Sequence, residues 1–138
     1  MSAEDFLDTN VFVYMFDETD PIKRQRAEAL VYDSLTKSTG CISYQVVQET
    51  LNVLIQRLNV STETASQMLD DILIPLWRIN PSHSLYGSSL RVKGRYGFSY
   101  YDSLIVAAAL EAGCTRLYTE DLQHGQQIQQ LTIVDPFR

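Results

Sequence analysis

A chain of 138 residues, 45% apolar and 20% charged, suits a single domain around one core, and residues 1–138 are read as that one domain. Seventeen acidic against eleven basic residues leave a formal net charge of −6, which disfavours an ordinary nucleic-acid binder unless divalent ions neutralise acids gathered in one place. No apolar run approaches the length of a membrane span, no basic leader precedes an apolar segment, and two cysteines are too few for a disulfide framework, so a cytoplasmic protein is expected.

The first predicted strand ends in Phe6-Leu7-Asp8-Thr9-Asn10, followed by a short apolar helical turn from Val11 to Phe16. Asp20 and Pro21 form a helix start, and the helix runs to about Thr36 with Ala27, Leu30, Val31 and Leu35 on one face. Gly40 is read as the stop before a second strand, Cys41 to Tyr44. Gln45 to Leu58 shows apolar residues at helical spacing, and Thr62 to Leu73 forms another helix that Pro75 ends or kinks. Trp77 to Asn80 is a third strand, and Ser82 to Val92 is helical.

From Arg91 to Tyr101 the texture changes to interleaved basic, glycine and aromatic residues, read as a loop with RNA-facing potential. Ser99-Tyr100-Tyr101-Asp102 has the form of a helix start, Leu104 to Ala112 is apolar on nearly every side, and Gly113 caps it. Arg116 to Thr119 is a fourth strand, Asp121 opens a short Gln-rich helix, and Thr132 to Val134 is a closing strand. Short strands alternating with helices predict an α/β fold, a three-layer α/β/α sandwich with a mainly parallel central sheet. Cys41 and Cys114 sit beside strands as small buried hydrophobes, and His83 and His124 lie in polar surroundings at the surface.

In such a sheet, strand C-termini and helix N-termini share one edge, where α/β proteins bind ligands. Asp8 ends the first strand, Glu49 lies in the first turns of a helix, Asp102 opens the apolar helix and Asp121 follows the fourth strand. Each has a structural explanation by itself. Asp8 and Asp102 can cap helices, Glu49 lies opposite Val47 and Leu51 as a solvated residue would, and Asp121 can be a first-turn acid. Together at one edge they make a candidate site, and clustered acids without Cys or His select Mg²⁺ or Mn²⁺.

The ordered set of Phe6-Leu7-Asp8-Thr9-Asn10, Glu49, Tyr101-Asp102-Ser103-Leu104-Ile105-Val106-Ala107-Ala108-Ala109 and Tyr118-Thr119-Glu120-Asp121 resembles the PIN-domain nucleases. In particular it resembles the VapC-type toxins of bacterial toxin–antitoxin pairs. The resemblance implies a metal-dependent endoribonuclease in which Asp8, Glu49, Asp102 and Asp121 hold one or two Mg²⁺ or Mn²⁺ ions. It implies that Thr9 and Asn10 support the site and that Thr119 braces the last acid. It also implies an RNA substrate, a cognate antitoxin and a homodimer. Gln123 stands where the family often has a further acid, which leaves the second ion open.

Arg91, Lys93 and Arg95 are candidate phosphate contacts, and Tyr101 is a candidate base-stacking residue. The competing reading is a non-catalytic PIN-like module that binds RNA or protein. An aspartyl-phosphate phosphatase is set aside because Asn10 occupies the place of its second Asp.

Overall fold

In the computed structural model, which describes residues 3–138, the sheet is built outward from β1, Asp5–Leu7, where all three residues are buried. Phe6 and Leu7 have no exposure, as apolar residues of a central parallel strand must if helices cover the sheet. The remaining strands are β2 (Gly40–Ser43), β3 (Trp77–Ile79), β4 (Arg116–Tyr118), β5 (Gln127–Ile128) and β6 (Leu131–Val134). They form one six-stranded sheet in the order β3-β2-β1-β4-β6-β5. All neighbours are parallel except β5 and β6.

The helices that flank this sheet are α1 (Thr9–Tyr14), α2 (Pro21–Thr36), α3 (Tyr44–Gln56), α4 (Thr62–Met68), α5 (Ile74–Leu76), α6 (His83–Tyr96) and α7 (Tyr100–Glu111). The α/β architecture with a mainly parallel sheet is therefore the one expected. The chain winds from β1 through β2 to β3, then crosses back to lay β4 on the other side of β1. This reversal opens a crevice at the C-terminal ends of β1 and β4, the place where open α/β sheets bind ligands.

Several elements differ from the sequence reading, each for a local reason. Gly40 does not stop the connection but opens β2, because a Cβ there would lie 2.7 Å from Ser34 Cβ and 2.8 Å from Leu76 Cδ2. Between α4 and α5 the helix widens into a π turn over Leu69–Leu73, directly ahead of Pro75, which has no N–H to give and whose ring crowds the preceding turn. Helix α6 runs one turn past Val92, carried by Leu85, Ser89, Val92 and the partly buried Tyr96 at alternating spacings of four and three. It stops at Gly97, whose φ of +75° suits only a residue without a Cβ.

The Gln-rich helix expected after Asp121 does not form. Turns through Gly125 lead instead into β5, and a two-residue hairpin at Gln129 and Gln130 returns the chain in β6. Ile128 and Leu131 face each other across that hairpin with no exposure, and this burial overrides the helix propensity of glutamine. Helix α7 is as expected, with Ser103 to Ala109 buried without interruption. Cys41 and Cys114 are buried, and His83 and His124 are exposed. Among the described residues no helix is long and apolar enough to cross a membrane.

The close approach at Gly40 gives a direct test of packing. Gly40→Ala overpacks the β2–α2–α5 junction and should cost about 1–3 kcal/mol. Urea unfolding checks it, the midpoint falling with an unchanged slope.

Candidate metal centre

Asp8 lies one residue past β1, and its backbone N–H still donates to Tyr118 O at 3.0 Å, so the parallel pairing holds the residue rigidly at the crevice. Its side chain caps α1, with Oδ1 accepting from Thr9 N at 2.7 Å. Oδ2 accepts from Thr119 Oγ1 at 2.8 Å, and that same hydroxyl accepts from Asp121 N at 3.1 Å. A fully buried threonine after β4 therefore ties the first acid to the backbone of the last.

The neighbours are fixed in the same way. Thr9 Oγ1 donates to Glu49 Oε2 at 3.2 Å, and Gln45 Nε2 donates to Glu49 Oε1 at 2.7 Å. Asn10 Nδ2 donates to Asp121 Oδ2 at 3.2 Å. Asp102 sits in the first turn of α7, where its backbone N–H is capped by Ser99 Oγ at 3.1 Å. Asp8, Glu49, Asp102 and Asp121, from four separate segments, line one groove of about 420 Å³ together with Thr9, Asn10 and Tyr101.

Burial and mutual repulsion dominate the electrostatics. Asp8 is 6% exposed, and burial pushes its carboxyl up to about 7 against the pull of Thr9 N–H and Thr119, with the charges of Asp121 and Glu49 adding to the rise. Asp121 is also raised, first by partial burial and then by Asp102 and Glu120. A hard cation would reverse both effects. Among the described residues no three His, Cys, Asp or Glu side chains converge as a ready-made ligand cage. The acids are instead held on their own donors around the groove. The donor chemistry nevertheless fits Mg²⁺ or Mn²⁺: every candidate ligand is oxygen, and Asn10 Oδ1 and Gln45 Oε1 are buried without a hydrogen-bond donor.

Other expected residues fall elsewhere. Arg91, Lys93 and Arg95 lie at the end of α6 and do not line the groove. Arg91 donates to Ser88 Oγ, Lys93 donates to Phe98 O at 2.8 Å, and Arg95 lies over the ring of Tyr96. Tyr101 does reach the groove and is 66% exposed.

Glu120 also lines the groove, but Tyr14 Oη at 2.6 Å and Lys23 Nζ at 3.0 Å hold it, a cluster the sequence reading missed. Residues 97 and 106 positions apart carry no local signal of such a contact. A second omission did have a signal. Gln45, Glu49, Val53 and Arg57 recur every four residues along α3 and its C-cap and all line the groove.

The raised Asp8 carboxyl makes metal-free stability depend on pH. Between about pH 4 and about pH 7 the folded protein holds a proton that the unfolded chain has lost, so stability falls as pH rises through this window. Melting temperatures in chelator should therefore decline from pH 4 to pH 7, and Asp8→Asn should flatten that decline. Thr119→Val removes the donor to Asp8 and the acceptor for Asp121 N–H at unchanged volume, and should cost about 1–3 kcal/mol in chemical denaturation. Thr119→Ser should restore most of it.

The PIN domain family matches residues 6–126 of the chain. No curated protein sequence matches it. Among solved structures, the chain is similar to a protein of a toxin–antitoxin complex from Klebsiella pneumoniae, at 19% identity and TM-score 0.67, covering 96% of this chain and 98% of that one. It is similar to Mycobacterium tuberculosis VapC20, a sarcin–ricin loop cleaving toxin, at 17% identity and TM-score 0.62 over 86% and 90% of the two chains. It is also similar to a chain of Rickettsia felis VapBC2 bound to a promoter DNA fragment, at 18% identity and TM-score 0.60 over 94% and 96%. With the family match spanning most of its length, the chain belongs to the PIN-domain family.

Proposed function

We propose that this PIN domain is a Mg²⁺- or Mn²⁺-dependent endoribonuclease that hydrolyses phosphodiester bonds in RNA, and that it acts as the toxin of a toxin–antitoxin pair. The observation that carries the reading is the meeting of Asp8, Glu49, Asp102 and Asp121 in one groove at the crevice between β1 and β4. A structural role explains any one of these acids. Four like charges directed into one groove, two of them with raised carboxyls, lower stability unless the site serves a cation.

In this reading Asp8, Glu49, Asp102 and Asp121 hold one or two ions, with Glu120 kept out of the ligand set by Tyr14 and Lys23. An ion held there would supply positive charge against the negative charge that builds on the scissile phosphate. The protein's own residues fix the geometry. Thr119 orients Asp8 and the Asp121 backbone, Asn10 orients the Asp121 carboxylate, and Thr9 with Gln45 aligns Glu49. Water adds to phosphorus and gives up a proton, the P–O bond to the leaving ribose oxygen breaks, and that oxygen takes up a proton, so the products are a phosphate monoester and a ribose hydroxyl. Tyr101, exposed at the lip, stacks on an unpaired base. Arg91, Lys93 and Arg95 serve at most flanking phosphates, since their side chains are engaged outside the groove.

A cognate antitoxin that fills the groove and a homodimer belong to the same proposal. The toxin–antitoxin complexes of the Klebsiella and Rickettsia relatives support the first. A non-catalytic RNA- or protein-binding role has one observation in its favour, the absence of a converged ligand cage among the described residues.

Calorimetry with Mn²⁺ and a cleavage assay separate the two. The nuclease binds Mn²⁺ and cuts RNA, chelator stops it, and Asp8→Asn or Asp102→Asn lowers the rate by at least roughly a thousandfold with the fold intact by circular dichroism. Wild-type cleavage by either variant, or no Mn²⁺ binding by the native protein, overturns the mechanism.

A further inference from the structure

The groove holds four acids, so a second source of attraction is needed to bring a polyanion into it. Most of the chain's basic side chains are already engaged. Lys23 pairs with Glu120, Arg24 with Glu28, Lys37 with Asp33, and Arg116 with Asp5 and Glu4. Arg26 donates to Arg138 O. Arg57 is different: among the described residues it is the one basic side chain lining the groove, and it has no ion pair, hydrogen bond or ring contact there.

Its position matters as much as its freedom. Arg57 caps the C-terminus of α3, two helical steps of four beyond Glu49 on the same stripe. It also lines a second cavity of about 520 Å³, formed with Phe16, Asn59, Ser61 and Thr64, and Asp17 and Leu58 are shared between the two. The acid groove and this cavity therefore lie side by side, and Arg57 stands on the wall they share. Each cavity lies in the size range that takes a small organic ligand. Asp17, shared by both cavities, and Glu18, which lines the second, carry the opposing charge, and Asp17 Oδ1 accepts from Thr19 N at 2.9 Å and Thr19 Oγ1 at 2.6 Å.

We propose that Arg57 is a phosphate-binding residue that grips a single-stranded RNA backbone where the carboxylate groove adjoins the neighbouring cavity. The inference rests on the ribonuclease reading for its substrate class. The strand then runs from the Tyr101 lip, past the carboxylates, to Arg57. Guanidinium suits this place because its planar fork donates two parallel hydrogen bonds to phosphate oxygens. The plain alternative is that Arg57 only offsets the dipole at the end of α3.

The test measures binding of a labelled, mixed-sequence, single-stranded RNA of about 12 nucleotides by fluorescence anisotropy. Ca²⁺ replaces Mg²⁺ to fill oxygen-ligand sites, and RNA integrity is checked afterwards on a gel. Arg57→Ala should raise Kd roughly tenfold and reduce the log–log salt slope by about 0.7, the value for one phosphate contact to a single strand. Arg57→Lys should recover part of the affinity, and Asp17→Asn should tighten binding. Lys37→Ala removes the same charge far from the groove and should leave Kd within about twofold.

Equal effects of Arg57→Ala and Lys37→Ala overturn the proposal, as does a lowered melting temperature for Arg57→Ala with unchanged Kd and slope. Failure of the native protein to bind RNA overturns it together with the substrate class. Native binding that depends on Arg57, without cleavage in Mn²⁺, upholds the phosphate contact and rejects the nuclease reading.

Discussion

A carboxylate fixed at the end of a fully buried central strand is the constraint on which the rest of the site depends. Asp8 cannot move away from the crevice, because its N–H continues the pairing of β1 with β4 and its two oxygens are taken by Thr9 and Thr119. Burial makes its charge costly, and Thr119 passes the constraint on to Asp121. The other carboxylates are set around this anchor by helices whose N-termini reach the same edge of the sheet. In the absence of a cation, folding must overcome this repulsion. A bound divalent ion would relieve it, so ion binding and folding stability are linked.

The local features of the site were legible in the sequence because local rules determine them. Asp8 follows two apolar strand residues, Asp102 follows a helix-capping serine, and Asp121 follows a strand, so each could be placed on the crevice edge without knowledge of long-range contacts. Glu49 was harder. Its position opposite Val47 and Leu51 gave it a solvent-facing look, and only packing shows that this side of α3 borders the groove. The same ambiguity hid Gln45 and Arg57, since a groove wall and a solvated helix face have the same polar pattern.

Other features depended on contacts distant in sequence. The hairpin of β5 and β6 replaces the helix expected after Asp121 because Ile128 gains a fully buried place opposite Leu131, which glutamine-rich composition cannot reveal. The extra turn of α6 was obscured by Gly94 and the basic and aromatic residues around it, although Tyr96 continues the buried face. The Tyr14–Lys23–Glu120 cluster joins α1, α2 and the segment after β4. It matters to the site because it engages an acid adjacent to Asp121 that would otherwise compete for an ion.

The two edges of the sheet have a consequence for assembly. β3 is three residues long, with Trp77 Nε1 turned back onto Ile79 O, and β5 at the opposite edge is only two residues long. Edge strands this short present little unpaired backbone, so they blunt the template on which another chain could extend the sheet. Strand-by-strand augmentation, whether by a recognition peptide or by a misfolded copy, is thereby disfavoured. That leaves the helix faces and the groove, where side chains rather than main-chain ladders set specificity, as the surfaces open to recognition.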